Sequence, residues 1–289
     1  MTQRNAIIMA AGTSSRFVPL SVERPKGLVE VKGEILIERQ IRQLKEAGIT
    51  DITLVVGYKA EMFAYLRDKY AVDIVYNEDF ARYNNTSSLI RVIEKLGNTF
   101  ICSSDNYFPE NVFTRESVDS YYSALYAEGK TNEYCLITNT EDQITDVKVG
   151  GHDSWYMVGH VFFNHEFSEK FRKLMIKEYC NKTTKQGYWE DLYIRYIDQL
   201  PKMKINRYQE GDIQEFDSLD ELRMFDESYK NDTRSSIVKQ ICKQLEVEEA
   251  CVHAFRNIKH KGNYLQFQFK VYDDVYEYNA ENGIEIKKI

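Results

Sequence analysis

The first third of the chain alternates short apolar runs with stretches of helical spacing, and that rhythm leaves few ways to fold. Asn5 to Ala10 carries Ile7-Ile8-Met9 and reads as a buried strand. Ile35 to Ala47 places Ile37, Ile41, Leu44 and Ala47 at helical spacing, and Gly48 stops that helix in the expected place. Ile52 to Val56 is a β-branched strand closed by Gly57, Glu61 to Tyr70 an amphipathic helix, and Asp73 to Tyr76 another strand. Thr86 to Leu96 reads as a helix with Leu89, Val92, Ile93 and Leu96 on one face, and Phe100 to Ser103 as a strand ending at Ser104-Asp105. Strand and helix in this order predict an α/β fold, a Rossmann-like and mostly parallel sheet flanked by helices. Such sheets bind ligands at the carboxyl ends of their strands, where Gly12 and Asp105 both fall.

Beyond Thr131 the pattern is less regular. Glu133 to Asn139, Thr145 to Val149 and Trp155 to Phe163 read as strands, Glu166 to Tyr179 and Trp189 to Gln199 as helices, and Ile213 to Phe216 as a short strand. Ser218 to Tyr229 opens Ser-Leu-Asp-Glu, a capping-box pattern at a helix start. The polar stretch Lys230 to Ser236 is the expected boundary between a domain over 1–230 and a small α+β appendage over 235–289. The appendage reads as a helix over Ile237 to Leu245, then Lys259-His260-Lys261-Gly262-Asn263, then a hairpin of Tyr264 to Val271 and Val275 to Asn279 around Asp273-Asp274.

Composition narrows the function. The 289 residues are 43% hydrophobic and 29% charged, enough for a core without disulfides. A net charge of −7 argues against a protein built to bind a nucleic-acid backbone. The five cysteines are widely spaced with no CxxC pair, so neither a zinc knuckle nor a disulfide framework is expected, and reduced thiols suit a cytoplasmic chain. Ala6 to Ala11 is too short to span a membrane or to serve as a signal-peptide core. The five histidines show no metal spacing, and the glycine turn lacks the P-loop form.

The strongest chemical signal is Ala10-Ala11-Gly12-Thr13-Ser14-Ser15-Arg16 followed by Pro25-Lys26. A tight glycine turn after a strand offers backbone N–H groups to phosphate oxygens. Arg16 adds a guanidinium fork for the outer phosphates of a nucleotide, and Lys26 a point charge for the α-phosphate, where charge develops during transfer. The plainer reading is a surface turn with unrelated cations nearby.

Met9-Ala10-Ala11-Gly12, Ser15-Arg16 and Pro25-Lys26 together resemble the signature of the nucleotide-diphospho-sugar pyrophosphorylases and their cytidylyltransferase relatives. Tyr83-Asn84-Asn85 with Ser88-Leu89, Asp105-Asn106-Tyr107, Thr131-Asn132-Glu133 and Asp191-Leu192-Tyr193 bring the resemblance closer to the bacterial CTP:phosphocholine cytidylyltransferases of the LicC type, over roughly residues 5 to 227.

That resemblance implies a Mg²⁺-dependent nucleotidyltransferase whose partners are CTP and a small phosphorylated amine such as phosphocholine, acting without nucleic acid or membrane. It implies that Ala10, Ala11, Gly12 and Thr13 carry the triphosphate, with Arg16 and Lys26 as catalytic cations. Asp105 is the implied first metal ligand and a nucleotide contact, and Asp217 the second, with Glu215 a weaker candidate. Mg²⁺ takes oxygen ligands and keeps waters, so two carboxylates plus phosphate oxygens suffice. Asn84, Asn85 and Ser88 are implied near the cytosine, although their place at a helix start also fits an N-cap for either asparagine.

An acceptor carrying a quaternary ammonium is held by aromatic faces and a carboxylate. Tyr134, Trp155, Glu190, Asp191 and Tyr193 are the acceptor candidates, with Tyr156 and Trp189 beside them. The chain departs from the family in carrying Tyr134 where a tryptophan is expected. Trp189-Glu190 just before the Asp-Leu-Tyr motif adds a carboxylate that suits a primary ammonium as well. Phosphoethanolamine, aminoethylphosphonate, a sugar 1-phosphate with another nucleotide, and a regulatory protein without catalysis are the alternatives. The appendage resembles the first strands of a choline-kinase-like amino-terminal lobe, which would make it a fragment of a fused enzyme or a docking module.

Overall fold

The computed structural model describes residues 3–114, 117–258, 265–281 and 284–289. It divides into two compact units, Met1–Gly12 with Leu36–Glu215, and Thr13–Ile35 with Phe216–Ile289. Compactness therefore does not follow the sequence boundary near 230: the second unit also takes the stretch after Gly12 and the capped helix that precedes the boundary.

The first unit is built on a seven-stranded sheet. In chain order its strands are β1 (Arg4–Ala10), β2 (Asp51–Val56), β3 (Asp73–Tyr76), β4 (Asn98–Ser103), β6 (Tyr121–Thr138), β7 (Ile144–Phe163) and β8 (Lys204–Arg207), while β5 (Asn106–Tyr107) and β9 (Gln214–Glu215) form a separate two-stranded ladder. The order across the sheet is β8-β6-β7-β4-β1-β2-β3. β1 pairs in parallel with β2 and β4, β2 with β3, and β8 with β6, while β7 runs antiparallel to both β4 and β6. The expected mostly parallel sheet flanked by helices is present. Ile7, Ile8, Leu54 and Val55 are fully buried, because the central strands are covered on both faces and so carry unbroken apolar runs.

Helix α1 (Leu36–Glu46) buries Leu36, Ile37, Ile41 and Leu44 along one stripe. The helical run expected over Glu61 to Tyr70 is instead a 3₁₀ turn (Ala60–Phe63) followed by α2 (Tyr65–Tyr70). The run from Thr86 to Leu96 is likewise α3 (Thr86–Leu89) and a 3₁₀ stretch, broken where Val92 leaves helical geometry at φ −124°. Asn164 caps α4 (His165–Glu178) by accepting the Phe167 N–H at 2.9 Å, and Phe167, Phe171 and Met175 face inward one turn apart. Two short helices follow, α5 (Lys182–Gln186) and α6 (Trp189–Arg195).

The strands expected over Glu133 to Asn139, Thr145 to Val149 and Trp155 to Phe163 are parts of the long β6 and β7. Their pairing shifts register repeatedly between Tyr122 and Thr138, so the two strands twist into an arm. His160 is buried in the sheet with Ser123 and Tyr121 around it, and His152 lies at the surface against Asp153. All five cysteines are free. Among the described residues no helix is long and apolar enough to cross a membrane.

The second unit holds a two-residue ladder of Glu30–Val31 with Glu34–Ile35, helices α7 (Leu219–Phe225) and α8 (Ser236–Leu245), and a four-stranded antiparallel sheet. That sheet runs β10 (Val252–Asn257), β11 (Gln266–Val271), β12 (Asp274–Asn279) and β13 (Glu285–Lys288) in order. The expected hairpin is its central pair, with Phe267 stacked on Tyr278 and Phe269 on Tyr276. Tyr264 and the Lys259 to Asn263 segment lie outside the described residues. Ser218 caps α7 as its sequence predicts, accepting the Glu221 N–H at 3.2 Å, but Glu221 reaches back to the Asp217 N–H instead of that of Ser218. The Thr13–Ile35 segment joins this unit through hydrogen bonds. Tyr229 OH donates to Glu30 O at 2.6 Å, the Lys32 N–H donates to Asp226 at 2.7 Å, and Glu23 accepts from Ser236 and Ile237 at the start of α8.

Candidate active site

β1 ends at Ala10, and the chain leaves the sheet through Ala11 and Gly12. Ala10 and Ala11 are buried, and the Ala11 carbonyl accepts the Tyr58 N–H at 3.2 Å. Gly57 makes that approach possible: a Cβ there would stand 2.9 Å from Ala11 O and 2.6 Å from the Phe80 Cβ. A Cβ on Gly12 would meet nothing within 4 Å. The glycine therefore presents open backbone at the carboxyl end of the central strand. Asp105 occupies the tight turn between β4 and β5 and is half-buried.

In the second unit the chain passes through Thr13, which is exposed, and Ser14, whose φ of 48° starts the 3₁₀ turn Ser15–Phe17. Arg16 pairs with Asp217, Nη1 to Oδ2, at 2.6 Å. Lys26 Nζ lies 3.5 Å from Asp217 Oδ1 and 5.8 Å from the centre of the Phe17 ring. The two cations differ in setting, since the Lys26 side chain is 4% exposed and that of Arg16 76%. A buried ammonium needs an anion beside it, and Asp217 supplies one. Asp105 and Asp217 are both partly exposed carboxylates, the hard oxygen donors that Mg²⁺ takes. Among the described residues no group of three or more His, Cys, Asp or Glu forms a cage. A single carboxylate of this kind, Asp105 in the first unit or Asp217 in the second, suits an ion that keeps waters and draws its remaining oxygens from phosphates.

A cavity of about 250 Å³ opens in the first unit. Its wall includes Tyr122, Tyr134, Tyr188 and Trp189, the carboxylates Glu133, Glu190 and Glu215, and no Lys or Arg among the described lining residues. Glu190 stands at the second position of α6. It accepts from Asn85 Nδ2 at 3.0 Å and from Tyr122 OH at 3.2 Å. Burial pushes its carboxyl up to about 7, and neighbouring Asp191 adds to the rise, against the lowering by Asn85, its own N–H and Tyr122. Protein surrounds the group, but it keeps a face on the cavity and is half-buried by surface area. Tyr122 stacks on Trp189, ring centres 5.9 Å apart and 19° from parallel. A concave wall of aromatic faces and carboxylates suits a small cation.

Asn85, Tyr134, Trp189, Glu190 and Glu215 are the sequence candidates that this cavity brings together. The others take different places. Asn84 is exposed and donates to Gln186 O at 2.9 Å. Ser88 is buried, and its hydroxyl accepts from Asn77 at 2.9 Å inside the fold. Trp155 lies on the arm, edge-on to Tyr126 and under Arg207, away from the cavity wall. Asp191 turns from the cavity to cap α6, accepting the Tyr188 N–H at 2.8 Å and the Tyr134 hydroxyl at 3.0 Å. Tyr193 is 1% exposed and packs against Phe167 in the core. A helical residue one turn beyond Trp189 on the inward stripe packs inward with it. Neither asparagine caps α3 with its side chain.

Tyr122, Glu133 and Tyr188 are wall residues that the sequence reading did not select. Tyr188 adjoins the Trp189-Glu190 pair, and that adjacency was the available signal. Tyr122 falls in the half of β6 that alternation did not reveal.

The family model of the MobA-like NTP transferase domain matches residues 6–138. The choline-phosphate cytidylyltransferase of Streptococcus pneumoniae is 35% identical over 227 residues, covering 78% of this chain and 99% of the relative. The 2-aminoethylphosphonate cytidylyltransferase of Lancefieldella rimae is 34% identical over 229 residues, covering 78% of this chain and 93% of the relative. The solved structure of the Streptococcus pneumoniae CTP:phosphocholine cytidylyltransferase, LicC, aligns with a TM-score of 0.75 over 79% of this chain and 100% of its own. An inositol-1-phosphate CTP transferase from T. maritima, at 16% identity and a TM-score of 0.60, shares the fold. With this identity along nearly the whole of each cytidylyltransferase and a common fold, the chain belongs to the LicC-type cytidylyltransferases, a family of nucleotidyltransferase enzymes.

Proposed function

We propose that the chain transfers the cytidylyl group of CTP to phosphocholine, giving CDP-choline and pyrophosphate. The observation that carries this reading is the cavity, whose wall sets Glu133, Glu190 and Glu215 among Tyr122, Tyr134 and Trp189 with no Lys or Arg among its described lining residues. A trimethylammonium head has no N–H to donate and is recognised through aromatic faces and diffuse negative charge. An ionised Glu190 supplies that charge.

The transfer is a single displacement. An oxygen of the acceptor phosphate bonds to the α-phosphorus of CTP as the bond from that phosphorus to the pyrophosphate oxygen breaks. The acceptor oxygen is already anionic, so no general base is needed, and the chain contributes positioning and charge neutralisation. Ala10, Ala11, Gly12 and Thr13 form the turn that carries the triphosphate, with Gly12 and Thr13 its exposed part. Arg16 binds the outer phosphates, and Lys26 stabilises charge on the α-phosphate. Mg²⁺, with Asp105 and Asp217 as its proposed oxygen ligands, neutralises phosphate charge when bound. Asn85 acts at the cavity wall by holding Glu190.

Glu190 also favours a second reading. A carboxylate with two fixed donors keeps lone pairs for an ammonium N–H, so phosphoethanolamine or 2-aminoethylphosphonate is the alternative acceptor. Pyrophosphate release with Mg²⁺ and CTP separates the readings, with phosphocholine, phosphoethanolamine, 2-aminoethylphosphonate and glucose 1-phosphate as acceptors and UTP and ATP in parallel. Release with CTP and phosphocholine, lost in Asp105→Ala, is the expected result. Release with the primary amines alone moves the acceptor to the second reading. Release with the sugar phosphate alone overturns the acceptor assignment, and binding of CTP without release under any condition overturns the catalytic one.

A further inference from the structure

Asp217 directly precedes the Ser218 cap of α7, so whatever fixes α7 fixes its carboxylate. Within the second unit, two side chains of α7 reach the carboxy-terminal segment. Asp220 Oδ2 accepts the Ala254 N–H at 2.7 Å. Arg223, 9% exposed, spends its guanidinium on backbone carbonyls, donating to Val252 O at 2.6 Å, Glu249 O at 2.8 Å and Tyr229 O at 3.1 Å. A guanidinium directed at three carbonyls from two separate stretches fixes their mutual geometry more firmly than a surface ion pair does. The strand that receives these bonds, β10, also packs against the Ser15–Phe17 turn that carries Arg16. Both partners of the Arg16–Asp217 pair therefore rest on the same strand.

We propose that Asp220 and Arg223 are positioning residues, through which β10 and the Glu249–Cys251 turn before it hold Asp217 against Arg16 for nucleotide handling. This gives the carboxy-terminal segment a part in the reaction without a ligand of its own. The proposal rests on the nucleotide role assigned above to Asp217.

The test compares full-length Asp220→Ala, Asp220→Asn and Arg223→Gln with the unaltered chain. The first readout is amide hydrogen exchange without nucleotide or metal. Losing one hydrogen bond to a charged acceptor is expected to speed exchange across Phe216 to Ser218 roughly tenfold in Asp220→Ala. Exchange in Ile52 to Val56 should not change, and Asp220→Asn, which keeps an oxygen for the Ala254 N–H, should behave as the unaltered chain. The second readout is kinetic: the KM for CTP rises by a similar factor in Asp220→Ala while the KM for the acceptor stays constant. Unchanged exchange at Phe216 to Ser218 overturns the proposal whatever the activity. Faster exchange with an unchanged KM for CTP overturns the link to nucleotide handling. An unaltered chain that transfers nothing counts against the proposed function, and the exchange data still decide the positioning role. Arg223 is buried and its variant is open to misfolding, so the partly exposed Asp220 decides the outcome.

Discussion

Asn85 holds Glu190 within the cavity wall: its Nδ2 donates to Oε2 at 3.0 Å while its Oδ1 accepts the Trp189 N–H at 2.8 Å. One side chain thus satisfies both the carboxylate and the first turn of the helix that bears it. Asn85→Ala removes a donor from a buried carboxylate and leaves an N–H without its acceptor. The expected cost is about 2–3 kcal/mol in urea unfolding, together with a raised KM for the acceptor. A change in stability with no change in that KM would separate Asn85 from acceptor binding.

Glu190 gives the protein a pH dependence of definite sign. Its carboxyl is raised in the folded chain to about 7, so between the ordinary carboxylate range and that value the folded state holds a proton that the unfolded state has lost. Stability therefore falls as pH rises through this window and is level above it. Glu190→Gln should remove the slope and be more stable than the unaltered chain at pH 8, by on the order of 2–3 kcal/mol at most, because the cavity face stays wet. The same ionisation attracts a cation, so phosphocholine affinity in equilibrium dialysis should climb through pH 7 in the unaltered chain more steeply than in Glu190→Gln. Equal slopes in the two proteins would show that another group titrates.

Two glycines, Gly12 after β1 and Gly57 after β2, predict opposite outcomes for the same substitution. Gly57→Ala forces a Cβ against the Phe80 side chain and the Ala11 carbonyl, and overpacking of this kind costs about 1–3 kcal/mol. Gly12→Ala adds a methyl to open space and should leave the unfolding free energy in urea within about 0.5 kcal/mol of the unaltered chain while raising the KM for CTP. A Gly12→Ala protein that binds CTP normally would remove that backbone from the nucleotide site.

Lys26→Met keeps a long apolar stem in a buried position and deletes only the charge. Pyrophosphate release should fall by about 10²–10³ in kcat, the range for losing one preorganised charge partner of a transition state. Circular dichroism should show the fold retained. A loss confined to the KM for CTP would make Lys26 a binding residue alone.

What the sequence made legible follows from how locally each feature is determined. β1, β2 and α1 were readable because buried strands and amphipathic helices write their environment into neighbouring residues. The Ser218 cap was readable because capping is a contact over three residues. The arm of β6 and β7 was not: its repeated register shifts break the alternation that marks a strand, and the stretch containing Tyr122 went unread. β10 and β13 are edge strands with polar residues on their outward faces, so only the apolar β11 and β12 between them showed. Tyr193 marks the limit for aromatic residues, since a ring in a motif looks the same whether it lines a cavity or fills a core. Glu190 was legible as an extra carboxylate, but its hold on Asn85 spans 105 positions and no local pattern records it.

The second unit is assembled from two stretches separated in sequence by Leu36–Glu215. During synthesis the ribosome releases Thr13–Ile35 early, and its hydrogen-bonding partners Asp226, Tyr229 and Ser236 only after that whole intervening length has emerged. The segment bearing Arg16 and Lys26 thus waits, unpaired with Asp217, until translation has passed Glu215. A nascent chain that has reached only Glu215 holds every described residue of the seven-stranded sheet and of the acidic cavity wall, yet it lacks the carboxylate that Arg16 and Lys26 share.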